Sequence, residues 1–180
     1  MLRITIPAIE QWDERKQEFV QTKGQTLQLE HSLVSLSKWE SKWNKPFLAK
    51  GDKTHDETLD YIKCMTITQN VDPDVYNGLT AEHIDQINKY IEAPMTATTF
   101  RELKQGKNNR DVITAELIYY WMIALNIPFE CQKWHLNRLL TLIRVCNIKN
   151  SPPKKMGKRA TISQYAQLNA ARRKQHNSKG

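Results

Sequence analysis

Hydrophobic residues in the first thirty positions recur with a two-residue period, which is typical of β-strands. The alternation is clear over 2–6, weaker over 18–22, and returns over 26–29 after the turn-forming pair Lys23-Gly24. This pattern predicts a small antiparallel β-meander. Because two or three short strands are not stable alone, we expect one face of this sheet to pack on the helices that follow.

The hydrophobic period then changes to that of an α-helix. Ser32 is a favourable N-cap, and the apolar stripe after it consists of Leu33, Leu36, Trp39 and Trp43. Pro46 disfavours helical dihedral angles in the residue before it. We therefore expect this first helix to end near Asn44.

Two further amphipathic helices are predicted before residue 94. One begins at Thr54 or Asp56, and its apolar residues are Leu59, Ile62, Cys64, Met65 and Ile67. The other begins at Thr80 and ends before Pro94, with a buried face made of Ile84, Ile87 and Ile91. The polar composition of 96–110 predicts a surface loop.

The most apolar part of the chain is the segment 112–125. Its hydrophobic residues occupy almost every face, and Asp111 can cap it, so we expect a central buried helix. After a break at Asn126-Ile127-Pro128, a second apolar stripe predicts a partner helix over 129–146. That stripe consists of Leu136, Leu139, Leu140, Ile143 and Cys146. Together the two helices would form a core hairpin.

Charge divides the 180 residues into two parts. The chain carries 27 Lys and Arg against 19 Asp and Glu, and eight of the bases but none of the acids lie beyond residue 149. The bases are Lys154, Lys155, Lys158, Arg159, Arg172, Arg173, Lys174 and Lys179. We predict one α+β, mainly α domain over 1–150, with the sheet in 1–30 and helices in 31–150. A basic tail over 151–180, flexible or helical, follows it.

The basic tail allows three interpretations. It can be a solvated extension, an arm that binds phosphates, or a segment that folds onto an acidic or amphipathic protein partner. Ile162, Tyr165 and Leu168 give 161–174 a weak helical spacing. Tyr165 is the only aromatic residue there, which disfavours stacking on single-stranded nucleic acid.

Trp39 and Trp43 are candidates for contact with a partner because large aromatic side chains often anchor protein interfaces. The alternative is core packing, since their stripe is continuous with Leu33 and Leu36. Both interpretations remain open at the level of sequence.

Catalytic and metal-binding patterns are weak. Cys131 and His135 lie four residues apart on the predicted helix, but zinc needs two more ligands and no second paired motif is present. Glu116 is the one acid of the apolar helix, and we interpret it as a partner of the helix dipole or of Arg138 or Arg144. No nucleotide-binding or hydrolase motif accompanies it. We therefore predict no enzyme activity, no metal and no cofactor.

A helix-turn-helix is the alternative from another functional class. The predicted helix 129–146 carries Gln132, Asn137 and Arg138, residue types that contact base edges in DNA. However, the preceding helix is apolar nearly all round, and the body has no net positive charge to attract phosphates. We therefore favour protein over nucleic acid as the partner.

Three widely spaced cysteines without a secretory signal favour a reducing compartment. The longest nearly apolar stretch, 117–129, is interrupted by Asn126 and Pro128 and is shorter than the roughly 20 residues of a spanning helix. We expect no membrane association.

Four stretches of the chain resemble the tail assembly chaperones of tailed bacteriophages. They are TLQLEHSLVSLSKWESKW (26–43), IYYWMIALNIP (118–128), CQKWHLNRLL (131–140) and LNAARR (168–173). The resemblance implies a helper protein in the host cytoplasm that coats the tape measure protein and recruits major tail protein until the tube polymerises. It supplies no catalytic residues.

The residue pattern is compatible with this resemblance and also with other protein-binding functions. A virion structural protein of the tail or connector, a homo-oligomer and a small DNA-binding protein remain alternatives. The candidate partner-binding residues are Trp39, Trp43, Lys154, Lys155, Lys158, Arg159, Arg172, Arg173 and Lys174.

Overall fold

The computed structural model describes residues 1–13, 17–100, 112–151 and 158–176. Over these residues the chain forms four strands and six α-helices. The strands are β1 (Leu2–Ile6), β2 (Ile9–Asp13), β3 (Glu18–Thr22) and β4 (Gln25–Leu29). The helices are α1 (Leu33–Trp43), α2 (His55–Met65), α3 (Ala81–Glu92), α4 (Ala115–Ala124), α5 (Leu136–Asn150) and α6 (Lys158–His176). Short 3₁₀ helices lie at Pro73–Gly78 and Phe129–Lys133. The predicted fold class, α+β and mainly helical, is confirmed.

The strands pair as a nested hairpin. β1 pairs antiparallel with β4, and β2 pairs antiparallel with β3. In a meander each strand would pair with the next, so the predicted order was wrong, and β2 was not predicted. Alternation identifies a strand but not its partner. Here the register places Ile4 opposite Leu27, and both side chains are buried.

Lys23-Gly24 is not the turn that its composition predicted. The β1–β4 ladder ends at the pair Ile6↔Gln25, and the β2–β3 ladder begins at the pair Ile9↔Thr22. Lys23-Gly24 therefore lies opposite Pro7 and Ala8, between the two ladders. A Cβ on Gly24 would lie 2.8 Å from the backbone nitrogen of Ala8. Glycine is needed there because the two backbones approach closely.

α1 is the central helix of the body. It packs against α2, α4 and the 3₁₀ helix Phe129–Lys133. Its predicted caps are confirmed: Ser32 accepts a hydrogen bond from the Ser35 backbone N–H, and Asn44 ends the helix in the left-handed conformation. Leu33, Leu36 and Trp39 are buried.

The predicted starts of α2 and α3 are also confirmed. Thr54 forms a capping box with Glu57, and Thr80 caps α3. Ile87 is fully buried in α3, while Ile84 and Ile91 are half-buried and pack at the edge of the core. The predicted contribution of Ile67 to the apolar face of α2 was wrong, because it lies beyond the helix and is 53% exposed.

The predicted helix 129–146 was wrong at its N-terminal end. α5 begins only at Leu136, after the 3₁₀ helix and a break at 134–135. The Leu136 backbone N–H donates to the His31 carbonyl at 2.7 Å, and Ser32 forms a bridge with His135. These contacts with the start of α1 replace the first helical turns. Leu136, Leu139 and Ile143 are buried, as predicted.

Contacts between Cα atoms divide the chain into two units, Met1–Asn147 and Ile148–Gly180. The first unit contains the sheet and the hydrophobic core. The second contains α6, whose described side chains are exposed. Among the described helices, none is both long and apolar enough to cross a membrane.

Candidate functional site

Helix α4 has one buried side, which is apolar, and one exposed side, which is apolar except for Glu116. Ala115, Ile118 and Met122 are completely buried. On the opposite side Tyr120 and Ile123 are 63% and 62% exposed. We call the exposed side the α4 outer face and define it as Glu116, Leu117, Tyr120, Trp121, Ile123 and Ala124. Leu117 and Trp121 are half-buried, and Glu116 is the one charged residue of this face.

The prediction that this segment is a central buried helix was therefore wrong. Its hydrophobic residues are arranged as expected, but the described part of the chain covers only the side that faces the core. A surface helix normally carries polar residues outward. Contiguous exposed apolar residues mark interaction sites in many proteins.

A buried carboxylate holds the N-terminus of α4. Glu40 of α1 accepts a hydrogen bond from the Ala115 backbone N–H at 2.7 Å through Oε2, and from the Phe47 backbone N–H at 2.8 Å through Oε1. Negative charge near a helix N-terminus is favourable because the helix dipole is positive there. The carboxylate thus ties α4 to α1 and to the loop after it.

The local sequence pattern predicts other residues for this role. Glu116 is exposed, and the observed N-cap is Thr114, whose side chain accepts from the Leu117 backbone N–H. Asp111, the predicted cap, lies outside the described residues. Glu40 was missed because 75 residues separate it from Ala115, and no local pattern pairs positions so far apart.

The C-terminus of α4 is equally well defined. Asn126 has φ 52°, and its N–H donates to the Ile123 carbonyl at 3.1 Å. The next N–H, of Ile127, donates to the Met122 carbonyl at 2.8 Å. This pair of bonds is a Schellman motif, with buried Ile127 completing the hydrophobic contact. Both ends of the outer face are therefore fixed by hydrogen bonds.

The 3₁₀ helix after α4 adds another exposed aromatic residue. Phe129 is 53% exposed. The Tyr119 hydroxyl donates to the Gln132 side-chain oxygen at 2.9 Å, which joins this short helix to one flank of α4. Burial, together with the charge of Glu116, raises the pKa of Tyr119, so the hydroxyl stays protonated and can donate.

The two predicted tryptophan anchors differ in exposure. Trp39 is 1% exposed and donates its indole N–H to the Glu57 carbonyl at 2.8 Å. It lies in the core, which was the alternative, and cannot contact a partner in this conformation. Trp43 is half-buried and donates to Asp60 Oδ2 at 3.0 Å.

Asp60 joins Trp43 to the neighbouring Lys42. Burial acts to raise the pKa of Asp60, but hydrogen bonds from Lys42 and Trp43 outweigh it and leave the pKa below its ordinary value. The carboxylate is therefore ionised. This pairing fixes one edge of Trp43 and leaves the rest of its ring partly accessible.

The predicted basic residues fall into two groups. Lys154 and Lys155 lie outside the described residues. The other five lie on α6, and they are Lys158, Arg159, Arg172, Arg173 and Lys174. Helix α6 is longer than the predicted 161–174. Its apolar stripe is exposed, with Ile162 at 67%, Tyr165 at 63% and Leu168 at 46%.

A buried polar cluster, which no sequence pattern predicts, lies where α5 meets the start of α1. His31 Nδ1 is 2.5 Å from the Tyr61 hydroxyl, and the His31 and His135 rings lie 5.1 Å apart. His135 Nε2 is 2.9 Å from the Tyr90 carbonyl. Burial and, secondarily, the neighbouring His135 lower the pKa of His31 to about 3. Burial also lowers the pKa of His135. Both rings are therefore neutral near pH 7.

This cluster connects elements of the core through buried hydrogen bonds and ring contacts. Cys131 and His135 do not share a helix, because Cys131 lies in the 3₁₀ helix and His135 precedes α5. In the part of the chain that the structure describes, no group of three or more His, Cys, Asp or Glu side chains is arranged to hold a metal ion. The histidines instead join α5 to the start of α1.

The helix-turn-helix arrangement is not formed. The connection from α4 to α5 runs over 125–135 and contains a 3₁₀ helix, whereas that motif uses a turn of three or four residues. Within the described residues of Met1–Asn147, the two most exposed large hydrophobic side chains, Tyr120 and Ile123, both lie on the α4 outer face, which suits contact with another apolar surface. No protein-family model matches this chain, and neither a curated protein nor a solved structure matches it.

Proposed function

We propose that this protein is a tail assembly chaperone of a tailed bacteriophage, which binds the tape measure protein, the major tail protein or both during tail morphogenesis in the host cytoplasm. The observation that carries the binding function is the α4 outer face, a largely apolar surface on a helix fixed at both ends. The resemblance of four sequence stretches supplies the class of partner.

The outer face suits a helical partner. At 1.5 Å per residue, the ten residues of α4 span about 15 Å, the length of three helical turns. An apolar helix face of a partner can pack along this length, as amphipathic helices do in many recognition complexes. Because capping and core contacts already order α4, binding loses little backbone entropy.

Helix α6 supplies a second binding element of different chemistry. It carries five basic residues and no acid, together with the exposed apolar stripe of Ile162, Tyr165 and Leu168. Positive charge of this kind accelerates association with an acidic partner more than it slows dissociation, and salt screens it. We infer that α6 assists capture while the α4 outer face provides lasting contact.

Co-expression pull-down with the tape measure protein and the major tail protein of the same phage tests the proposal. Ile123→Glu places a charge on the outer face and should reduce recovery of the tape measure or major tail protein more than tenfold. Ile67→Glu is the matched control, since Ile67 is also an exposed isoleucine, at 53%, but lies outside α4. Both variants should keep the thermal midpoint of the parent.

Equal recovery by the two variants would remove the outer face from the binding site. The alternative functions are tested in parallel. A gel-shift series in rising salt detects nucleic-acid binding, which would be lost steeply as salt increases. Mass spectrometry of purified particles detects a structural component of the virion. DNA binding near physiological salt without capture of either tail protein would replace the chaperone proposal.

A further inference from the structure

A second candidate site lies between α2 and α3, and it shares no residue with the α4 outer face. It is a pocket of about 220 Å³. Its apolar walls are Phe47, Tyr61, Ile62, Ile84, Ile87 and Ile91. Ile84 and Ile91 are only half-buried, so the pocket is open beside α3.

The aromatic wall of this pocket is held rigidly. The Phe47 and Tyr61 rings stack with centroids 3.9 Å apart, and Trp39 meets Phe47 edge-on at 5.1 Å. The Tyr61 hydroxyl is engaged by His31 in the buried polar cluster. This aromatic wall therefore offers ring carbons and favours an apolar occupant. The uncharged polar residues of the lining are Thr58, whose hydroxyl donates to the Thr54 carbonyl, and Asn88.

Lys53 is the one charged residue that lines the pocket. Its ammonium nitrogen lies 4.3 Å from the centroid of the Phe47 ring. Nearby Lys42 and Lys45 are paired with Asp60 and Glu57. Lys53, in contrast, forms no ion pair with any carboxylate of the described residues. A positive charge that has no carboxylate partner among the described residues, beside a largely apolar pocket, is complementary to a ligand that combines an apolar group with a carboxylate.

We propose that this pocket binds one large apolar side chain of a protein partner, with an adjacent carboxylate of that partner paired to Lys53. The volume is below the roughly 300 to 1,000 Å³ of sites for free small molecules, but it is suited to a single anchoring side chain. Aromatic anchors inserted into pockets carry much of the binding energy of protein interfaces. This inference does not depend on the proposed function.

A pair of capped dipeptides provides the probe. N-acetyl-Phe-Glu-amide carries both groups, and N-acetyl-Phe-Gln-amide has nearly the same shape without the charge. Titration into the full-length ¹⁵N-labelled protein should shift the backbone signals of Ile62 and Ile87 with millimolar affinity. The Glu peptide should bind about threefold more tightly, as expected for one partly exposed ion pair.

Lys53→Gln should abolish this difference while leaving the weaker binding of the Gln peptide unchanged. Lys50→Gln is the control, because it removes the same charge from the same loop at a residue that does not line the pocket. Three results would each overturn the inference: shifts confined to residues outside the pocket, equal affinities for the two peptides, or the same effect of Lys50→Gln. Thermal midpoints of both variants verify that the fold is intact.

Discussion

Helices α1 and α4 both carry large apolar and aromatic residues, yet they end in different environments. In α1 these residues recur with helical spacing, and the stripe faces the core while polar residues face outward. In α4 they occupy nearly all positions, so whichever side faces the core leaves an apolar side opposite. Periodic hydrophobicity therefore predicts which face of a helix is buried. Uniform hydrophobicity predicts that one face is buried but does not indicate which one. The excess apolar surface of α4 is what a protein partner can use.

The strongest test of this contrast compares a core side chain of α1 with an outer-face side chain of α4. Leu36 is fully buried, and Leu36→Ala should lower the free energy of unfolding by about 2 to 5 kcal/mol because it leaves a cavity. Ile123→Ala removes an exposed side chain and should change the free energy of unfolding by less than about 0.5 kcal/mol. Urea unfolding measures both. A large loss for Ile123→Ala would show that the outer face is covered in solution.

The pH dependence of the free energy of unfolding tests the buried polar cluster at the start of α1. The folded-state pKa of His31 is about 3, below its ordinary value of 6.5. Protonation therefore favours the unfolded chain between these values, and the stabilisation present above pH 6.5 is lost as the pH falls towards 3. From linkage, the loss at pH 5 is about 2 kcal/mol.

His31→Asn should reduce this pH dependence between pH 7 and 5, as measured by urea unfolding at each pH, and the remaining slope has the sign expected from the lowered pKa of His135. His55→Asn is the control, since His55 is exposed at the start of α2 and should leave the slope unchanged. A parental slope retained in His31→Asn would show that another group is responsible.

The two glutamates near the start of α4 provide a smaller comparison. Glu40→Gln retains one accepting oxygen but turns an amide N–H₂ towards the second backbone N–H, which is left unpaired. This variant should lower the free energy of unfolding by about 1 to 3 kcal/mol. Glu116→Gln changes an exposed carboxylate and should cost less than about 0.5 kcal/mol. Similar losses in thermal or urea unfolding would contradict the assignment of Glu40 as the carboxylate that caps α4.

The candidate site was only partly predictable. The sequence identified 112–125 as exceptionally apolar and therefore pointed to the segment that carries the outer face. It did not reveal which residues would stay exposed, because that depends on which elements pack against the helix. Trp39 and Trp43 show the same limit, since one stripe contains a residue in the core and a residue at its edge.

The sequence by itself determined the features that depend on neighbouring residues. The N-caps at Ser32, Thr54 and Thr80 require only a side chain that reaches a backbone N–H three residues away. The apolar stripe of α1 depends on the helical repeat alone. Such short-range geometry is present in the local sequence and was predicted correctly.

Tertiary structure decided the features that join distant parts of the chain. The partner of β1 is β4, the carboxylate that accepts from the Ala115 N–H at the start of α4 belongs to Glu40, and α5 begins where the Leu136 N–H donates to the His31 carbonyl. In each case a buried polar group needs a partner, and several positions could supply one according to the sequence. Only the packed chain selects among them, because burial makes an unpaired donor or acceptor costly and the fold brings these particular groups together.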